Sequence, residues 1–112
     1  MVNQRELVLI PYPFSEFNVS KVRPAVVVSN DSYNREFEDL IVVPVTTNLN
    51  LRKHVVRLSN SELEQGHLIA DSVIKVDRIL SVNQKLVKKS IGSVKKDVLV
   101  RIRGILAELL GD

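Results

Sequence analysis

The chain has 112 residues, of which 45% are hydrophobic and 26% are charged, and it carries a net charge of +3 without any cysteine. This length predicts a single domain, residues 1–112, with a modest hydrophobic core. The missing cysteines exclude disulfides and thiolate zinc sites, and they agree with the reducing cytoplasm where we expect the protein. No apolar run approaches the roughly 20 residues of a membrane-spanning helix, and the N-terminus lacks the pattern of a signal peptide.

Short apolar runs separated by polar turns dominate the first three quarters of the chain and predict a β-rich body. Pro44 lies within one of these runs, and because proline has no amide proton, we expect that strand to be an edge strand or bulged there. Strands of this length suggest a small barrel, which leaves few exposed edges. The predicted strands cover residues 6–12, 23–29, 40–46, 54–58, 72–76 and 78–82.

Three further segments have other signals. Residues 30–38 read as a turn region, and residues 59–66 as a short helical turn that Ser59 or Ser61 caps and Gly66 ends. After Ser93, a plausible N-cap, apolar residues recur at three- and four-residue spacing until Gly111. This spacing predicts one amphipathic C-terminal helix.

Few residues have the patterns of catalytic or metal sites. His54 and His67 have no partner at ligand spacing, and Asp71 with Asp77 matches no strong metal motif, so we interpret all four as surface or turn residues and expect no metal. Arg23 begins one predicted strand and Thr46 ends another. Together they could bind a phosphate, because a guanidinium fork and a hydroxyl both donate hydrogen bonds to its oxygens. Separately, they could be a solvated charge and an ordinary β-former.

Four segments follow one another along the chain: VLIPYPF near the start, KVRPAVVVSND with its Arg-Pro, LIVVPVTTN with its terminal threonine, and DSVIKVDRI. Each segment alone is weakly specific, but the ordered set at compatible spacing covers most of the chain. Together with the C-terminal helix, this set resembles the MazF/PemK family of toxin endoribonucleases from type II toxin–antitoxin systems.

The resemblance implies a mainly β fold, a small SH3-like barrel of the CcdB/MazF/PemK type with short helices and a C-terminal helix, commonly as a homodimer. It implies a metal-independent, cofactor-free and sequence-selective endoribonuclease, an mRNA interferase that acts on single-stranded RNA. Arg23 and Thr46 match the family's catalytic pair. The 2′-hydroxyl attacks the neighbouring phosphate, and family enzymes can leave a 2′,3′-cyclic phosphate and a 5′-hydroxyl. A cognate antitoxin is the implied protein partner.

The loops that flank the expected site offer residues for RNA binding. Lys21, Arg52 and Lys53 could contact phosphates, while Thr47 and Asn48 could hydrogen-bond to base edges. Phe17, or else Phe14, could stack on a base, as aromatic side chains do in single-strand readers. The alternatives are core packing for the aromatic residues and solubility for the basic ones.

Two positions depart from the pattern of the family. Asn18 stands where some members carry an acidic residue, and Leu80 stands where several carry an arginine, with Arg78 nearby. These departures affect the expected RNA sequence preference and, to a lesser degree, the expected rate, and they leave the Arg23–Thr46 pair intact.

Two other functions fit the same barrel. A non-catalytic toxin of the gyrase-poisoning type would act through its C-terminal helix and dimer surface, although the tail ELLGD lacks a bulky aromatic residue. A nucleic-acid-binding barrel without turnover is the other alternative. RNA cleavage separates the enzyme from both.

Overall fold

The structure is a computed structural model that describes residues 2–11 and 21–111. These residues form eight β-strands and two α-helices, joined in places by short 3-10 turns. The elements in chain order are β1 (Glu6–Pro11), β2 (Val22–Val27), α1 (Asp31–Glu36), β3 (Asp39–Thr46), β4 (Val55–Leu58), β5 (Leu63–Gly66), β6 (Ser72–Lys75), β7 (Leu80–Asn83), β8 (Lys89–Val94) and α2 (Lys96–Leu110). The expected mainly β fold with short helices and a C-terminal helix is confirmed.

The strands form one curled antiparallel sheet, a half-barrel in the order β4-β6-β3-β2-β1-β8-β5. The long strand β3 lies in its middle and pairs with β2 along one side. Along its other side β3 pairs first with β7, through Asp39 to Val42, and then with β6, through Val45 and Thr46. β7 and β6 thus pair with successive parts of the same side of β3, and the sheet can curl where the partner changes.

Alternation along the strands builds two cores. Leu7 and Val26 belong to the cluster that receives α2, while Val8 and Ala25 belong to the cluster on the opposite face. Successive residues of a strand point to opposite faces, so this division follows directly from the apolar runs. Ile102 of α2 is fully buried against the first cluster, and a side chain of this size contributes about 1.5–3 kcal/mol on burial.

Pro44 has neither of the two predicted settings, because β3 is central to the sheet and its pairing with β2 runs through Pro44 without a bulge. It pairs with Ala25 of β2 on one side. On the other side it falls between the last residue paired with β7 and the first paired with β6, Val42 and Val45. A residue without an amide proton is tolerated here because the ladder is already interrupted on that side.

The predicted turn at residues 30–38 contains the helix α1. The side chain of Asn30 caps it by accepting a hydrogen bond from the Tyr33 amide at 2.8 Å. Inside the helix, buried Asn34 donates to the Ser29 carbonyl at 3.0 Å. A short helix with strong polar side chains has no clear apolar period, so its sequence resembles a turn.

Ser93 is not the N-cap of the C-terminal helix, because it lies in β8, where it pairs with Glu6. The helix begins after Lys95 and ends at Leu110, before Gly111 as predicted. The apolar period that predicted α2 extends backwards through Val94, which is buried as a strand residue. The apolar pattern therefore does not mark the boundary between the end of β8 and the start of α2.

The segment 59–66 contains its predicted helical turn, a 3-10 turn at Asn60–Glu62 that a Ser59–Glu62 capping box begins. Gly66 adopts the expected left-handed conformation, with φ of +89°, but ends strand β5 rather than the turn. It faces Gly92 of β8, and the two backbones approach too closely for a side chain at either position.

Candidate functional site

Arg23 lies near the start of β2, beside the last described residue of the N-terminal segment. Its backbone pairs with the buried Ile10 of β1, while its side chain is exposed. The following Pro24 restricts Arg23 to an extended backbone, since the proline ring excludes the helical region for the residue before it. The guanidinium is therefore presented to solvent from a backbone that the sheet and the proline hold in place.

Thr46 is the last residue of β3, and it pairs with the fully buried Val73 of β6. Its Oγ1 accepts a hydrogen bond from the Asn48 amide at 3.3 Å, and Asn48 Oδ1 accepts one from the Asn50 amide at 3.1 Å. A threonine hydroxyl has one proton and two lone pairs. The turn uses one lone pair, so the proton of the Thr46 hydroxyl is left for donation to an outside acceptor.

Arg23 and Thr46 occupy equivalent places on two neighbouring strands. Ala25 of β2 pairs with Pro44 of β3, and each of the two functional candidates lies two residues beyond this pair. Side chains two residues apart on a strand share a face. Residues that oppose each other across antiparallel strands have Cα atoms about 4.5–5.5 Å apart. Continuing the register by these two residues brings Arg23 opposite Thr46, on one face of the sheet.

The charge of Arg23 is not neutralised within the described part of the chain. The ion pairs among residues 2–11 and 21–111 are Arg5 with Glu64, at 2.7 Å, and Arg101 with Asp97, at 3.5 Å. An exposed guanidinium without a carboxylate partner keeps its donors for a ligand, and a planar fork of this kind binds the oxygens of a phosphate.

Three of the other predicted site residues are close in sequence to Arg23 or Thr46. Lys21 is exposed just before β2, and Thr47 and Asn48 are exposed just after Thr46. Phe17, with the alternative Phe14, lies outside the described residues, as does Asn18.

Arg52 and Lys53 are exposed on the loop between β3 and β4, where they line a cleft of about 410 Å³. Lys75 of β6 and Arg78 of the following 3-10 turn line the same cleft. No local pattern marks Lys75 as a site residue, because it is a lysine at the end of an apolar strand. Its proximity to Arg52 and Lys53 depends on the pairing of β6 with β4.

The residues considered for metal binding do not converge. His54 has a left-handed backbone, with φ of +58°, and its carbonyl accepts the Val76 amide at 3.0 Å, whereas His67, Asp71 and Asp77 are exposed. Within the described ranges, no group of three or more His, Asp or Glu side chains is placed to hold a metal ion.

The carboxylates with shifted pKa values lie at the other end of the sheet. Hydrogen bonds from the Ser61 hydroxyl, at 2.7 Å, and from the Ser59 amide, at 2.8 Å, lower the pKa of Glu62. The Arg5 guanidinium lowers the pKa of Glu64. Both carboxylates belong to the 59–66 segment, so we assign them to the fold rather than to the candidate site.

None of the described helices is long and apolar enough to cross a membrane.

Solved structures with the same fold cover almost the whole chain. MazF of Deinococcus radiodurans is 26% identical, with a TM-score of 0.79 over 99% of this chain and 97% of that one. A MazE–MazF complex from the same organism is 25% identical, with a TM-score of 0.76 over 98% and 95% of the two chains. A mycobacterial endoribonuclease in complex with its cognate antitoxin is 19% identical, with a TM-score of 0.79 over 99% and 96%.

A comparison with curated protein sequences gives no significant match. The family comparison, in contrast, matches residues 3–110, a range that includes both Arg23 and Thr46 and extends into the last turn of α2. A match over nearly the full length is decisive where pairwise identities are low. The chain therefore belongs to the family of PemK-like, MazF-like toxins of type II toxin–antitoxin systems.

Proposed function

We propose that this toxin is a metal-independent endoribonuclease that cleaves single-stranded RNA, messenger RNA included, with Arg23 and Thr46 at the scissile phosphate. The observation that carries the proposal is the equal displacement of these two residues from the Ala25–Pro44 pair, on neighbouring strands and on one face. A cation and a hydroxyl donor held side by side suit the oxygens of a single phosphodiester.

In the proposed reaction the 2′-hydroxyl releases its proton to solvent as its oxygen attacks the adjacent phosphorus, a new P–O2′ bond forms and the P–O5′ bond breaks. The 5′-oxygen takes up a proton from solvent as it leaves, so the products are a 2′,3′-cyclic phosphate and a 5′-hydroxyl. Negative charge grows on the non-bridging oxygens at the transition state. A preorganised donor directed at such charge contributes about 10²–10³ in rate.

Arg23 acts as the charge stabiliser in this proposal, because a guanidinium stays protonated in proteins and makes a poor base. Thr46 donates its hydroxyl proton to a phosphate oxygen, and the Asn48 amide fixes the orientation of that hydroxyl. This division of roles needs no metal, since the two side chains already supply the positive charge and the donor.

The same proposal assigns RNA contacts to the neighbouring loops. Lys21, Arg52 and Lys53 bind phosphates, while Thr47 and Asn48 hydrogen-bond to base edges; all five side chains are exposed. Phe17 is proposed to stack on a base. Base stacking on an aromatic ring contributes about 1–3 kcal/mol per base in single-strand readers.

We also propose a cognate antitoxin as protein partner, a homodimer as the functional assembly, and the cytoplasm as the location. The antitoxin proposal is supported by two of the structural relatives, which are solved as complexes with an antitoxin. A net charge of +3 favours an acidic partner.

The proposal is tested by incubating the purified protein with a long unstructured RNA in EDTA and mapping the fragment ends. We expect cleavage at a short recurrent motif, and a loss of about 10²–10³ in rate for Arg23→Ala. Arg35→Ala is the matched control, because Arg35 is an exposed arginine of α1. Intact RNA with wild-type protein would refute the nuclease, and inhibition of DNA supercoiling in its place would indicate the gyrase-poisoning alternative.

A further inference from the structure

A cleft beside the candidate site concentrates positive charge. Arg52, Lys53, Lys75 and Arg78 line it, and Asp77 is the one acidic residue among its described lining residues. We call this the basic cleft. It has a volume of about 410 Å³, and Val55 of the edge strand β4 is among its lining residues. None of the four cations forms an ion pair with a carboxylate within the described residues.

The register of the sheet joins the basic cleft to Thr46. Thr46 pairs with Val73 of β6, and Lys75 lies two residues further along β6, so Lys75 and Thr46 are diagonal neighbours on one face. Diagonal neighbours of this kind are about 7–8 Å apart. A lysine side chain spans much of that distance, so the Lys75 ammonium lies within reach of a ligand bound at Thr46.

Arg57 of the edge strand β4 is a further cation near Thr46 and Lys75. Val73 pairs with Thr46 on one side and with Arg57 of β4 on the other. Arg57 is exposed, and it therefore shares its face with Thr46 and Lys75. Neighbouring strands are about 4.7–4.9 Å apart, so Arg57 lies two strand spacings from Thr46.

The loop after Thr46 supplies the other wall of the cleft. Because β6 lies between β3 and β4, residues 47–54 must cross β6 to reach β4. They do so on the face that carries Lys75, since Asn50 to Lys53 line the cleft together with Lys75 and Val55. Cations from the loop and from the strand thus face a common space, although they are distant in sequence.

We propose that the basic cleft, extended by Arg57, binds the RNA backbone next to the scissile linkage, with Lys75 and Arg57 as phosphate-contacting residues. The inference rests on the proposed function and specifies the course of its substrate: from Arg23 and Thr46 over β6 to β4. A strand bound at Thr46 must continue in some direction, and this direction offers Lys75 and Arg57 one and two strands away, neither of which forms an ion pair within the described residues.

The charges favour a phosphate backbone as the ligand. Each phosphate that a Lys or Arg neutralises releases counterions, and for single strands the slope of log K against log salt changes by about 0.7 per contact. Such contacts carry no sequence information. The basic cleft should therefore strengthen binding and leave the choice of cleavage motif to other residues.

The test measures RNA binding and cleavage for Lys75→Gln and Arg57→Gln, beside Lys96→Gln and Arg35→Gln as controls on the exposed surface of α2 and α1. Glutamine keeps length and polarity and removes charge. We expect each test variant to weaken equilibrium binding several-fold and to reduce the salt slope by about 0.7. In cleavage we expect KM to rise more than kcat falls, with the same cleaved motif, because backbone contacts act on ground and transition state alike.

Shortened substrates sharpen the test. Two oligonucleotides carry the mapped cleavage motif, and each lacks the flanking nucleotides on one side. We expect the effect of Lys75→Gln and Arg57→Gln to vanish with one of them and to persist with the other, which also identifies the side of the scissile linkage that the cleft binds. The unfolding temperatures of both variants show whether each is folded. Arg57→Gln tests the proposed phosphate contacts independently of Lys75.

The outcomes separate this inference from the proposed function. If the wild type cleaves RNA and both variants match it in KM and salt slope, the inference is wrong and the nuclease stands. If the wild type binds RNA in a cleft-dependent way without cleavage, the nuclease is wrong and the backbone site stands. If both variants bind RNA like the wild type but escape inhibition by the antitoxin, the cleft binds an acidic segment of that partner and the inference is overturned.

Discussion

Arg23 and Thr46 each lie two residues beyond the Ala25–Pro44 pair, on neighbouring antiparallel strands of the sheet. This relationship brings an exposed guanidinium and a hydroxyl donor to one face, although the two residues are distant in sequence. Ile10 and Val73, the buried residues that pair with them from the outer sides, hold both backbones in place. The site is thus a product of strand register.

The hydroxyl of Thr46 is expected to be needed for cleavage. Thr46→Val keeps the shape of the side chain and removes the donor, so we expect the single-turnover rate to fall by about 10²–10³. Thr46→Ser keeps the hydroxyl and its bond from the Asn48 amide, and should retain much of the rate. The control is Ser81→Ala, an exposed hydroxyl on β7. Equal rates for Thr46→Val and wild type would exclude a role for the hydroxyl.

The stability of the fold is expected to decline in acid. The pKa values of Glu62 and Glu64 are lowered in the folded state, so their contribution is present above the unfolded pKa of about 4.3 and is lost as pH falls through the folded values. Denaturant unfolding at a series of pH values measures this decline. We expect Glu62→Gln to flatten it and Glu36→Gln, on the exposed face of α1, to leave it unchanged; an unaltered decline in Glu62→Gln would contradict the assignment.

Two glycines are expected to respond in opposite ways to the same substitution. Gly92 has φ of +155° and a Cβ there would collide with the Gln65 carbonyl, so Gly92→Ala should destabilise the junction of β5 and β8. Gly104 lies in α2 with nothing within 4 Å of the corresponding position. Gly104→Ala should raise the unfolding free energy by about 0.5–1 kcal/mol, because alanine restricts the unfolded chain and favours a helix. Chemical denaturation of both variants checks the contrast.

The parts of the fold that the sequence predicts well are those with a clear apolar pattern. The apolar run of β1 supplies buried residues to both faces of the sheet, and the stripe of Val98 and Ile102 determines the buried face of α2. The predictions are wrong where strand pairing, rather than the local sequence, determines the structure. Pro44 is tolerated in a central strand only because β3 changes partners beside it, and Ser93 becomes a strand residue because β1 pairs with it.

The residues of the candidate site likewise divide into those that local motifs predict and those that they do not. Arg23 and Thr46 are predictable from the motifs around them, since Arg-Pro and the terminal threonine are among the residues that carry the resemblance, and the family match spans both. Lys75 and Arg57 carry no such pattern, and their relation to Thr46 exists only through the pairing of β3, β6 and β4. No property of a single segment could have predicted it.

The central claim is that Arg23 and Thr46 act together on one phosphodiester, and a double-mutant cycle tests it most directly. Single-turnover cleavage of one RNA is measured for wild type, Arg23→Ala, Thr46→Val and the double variant. Groups that act as a unit are strongly non-additive, so we predict that the double variant loses little more than the slower single variant. Losses that multiply, as for two independent sites, would contradict a shared phosphate.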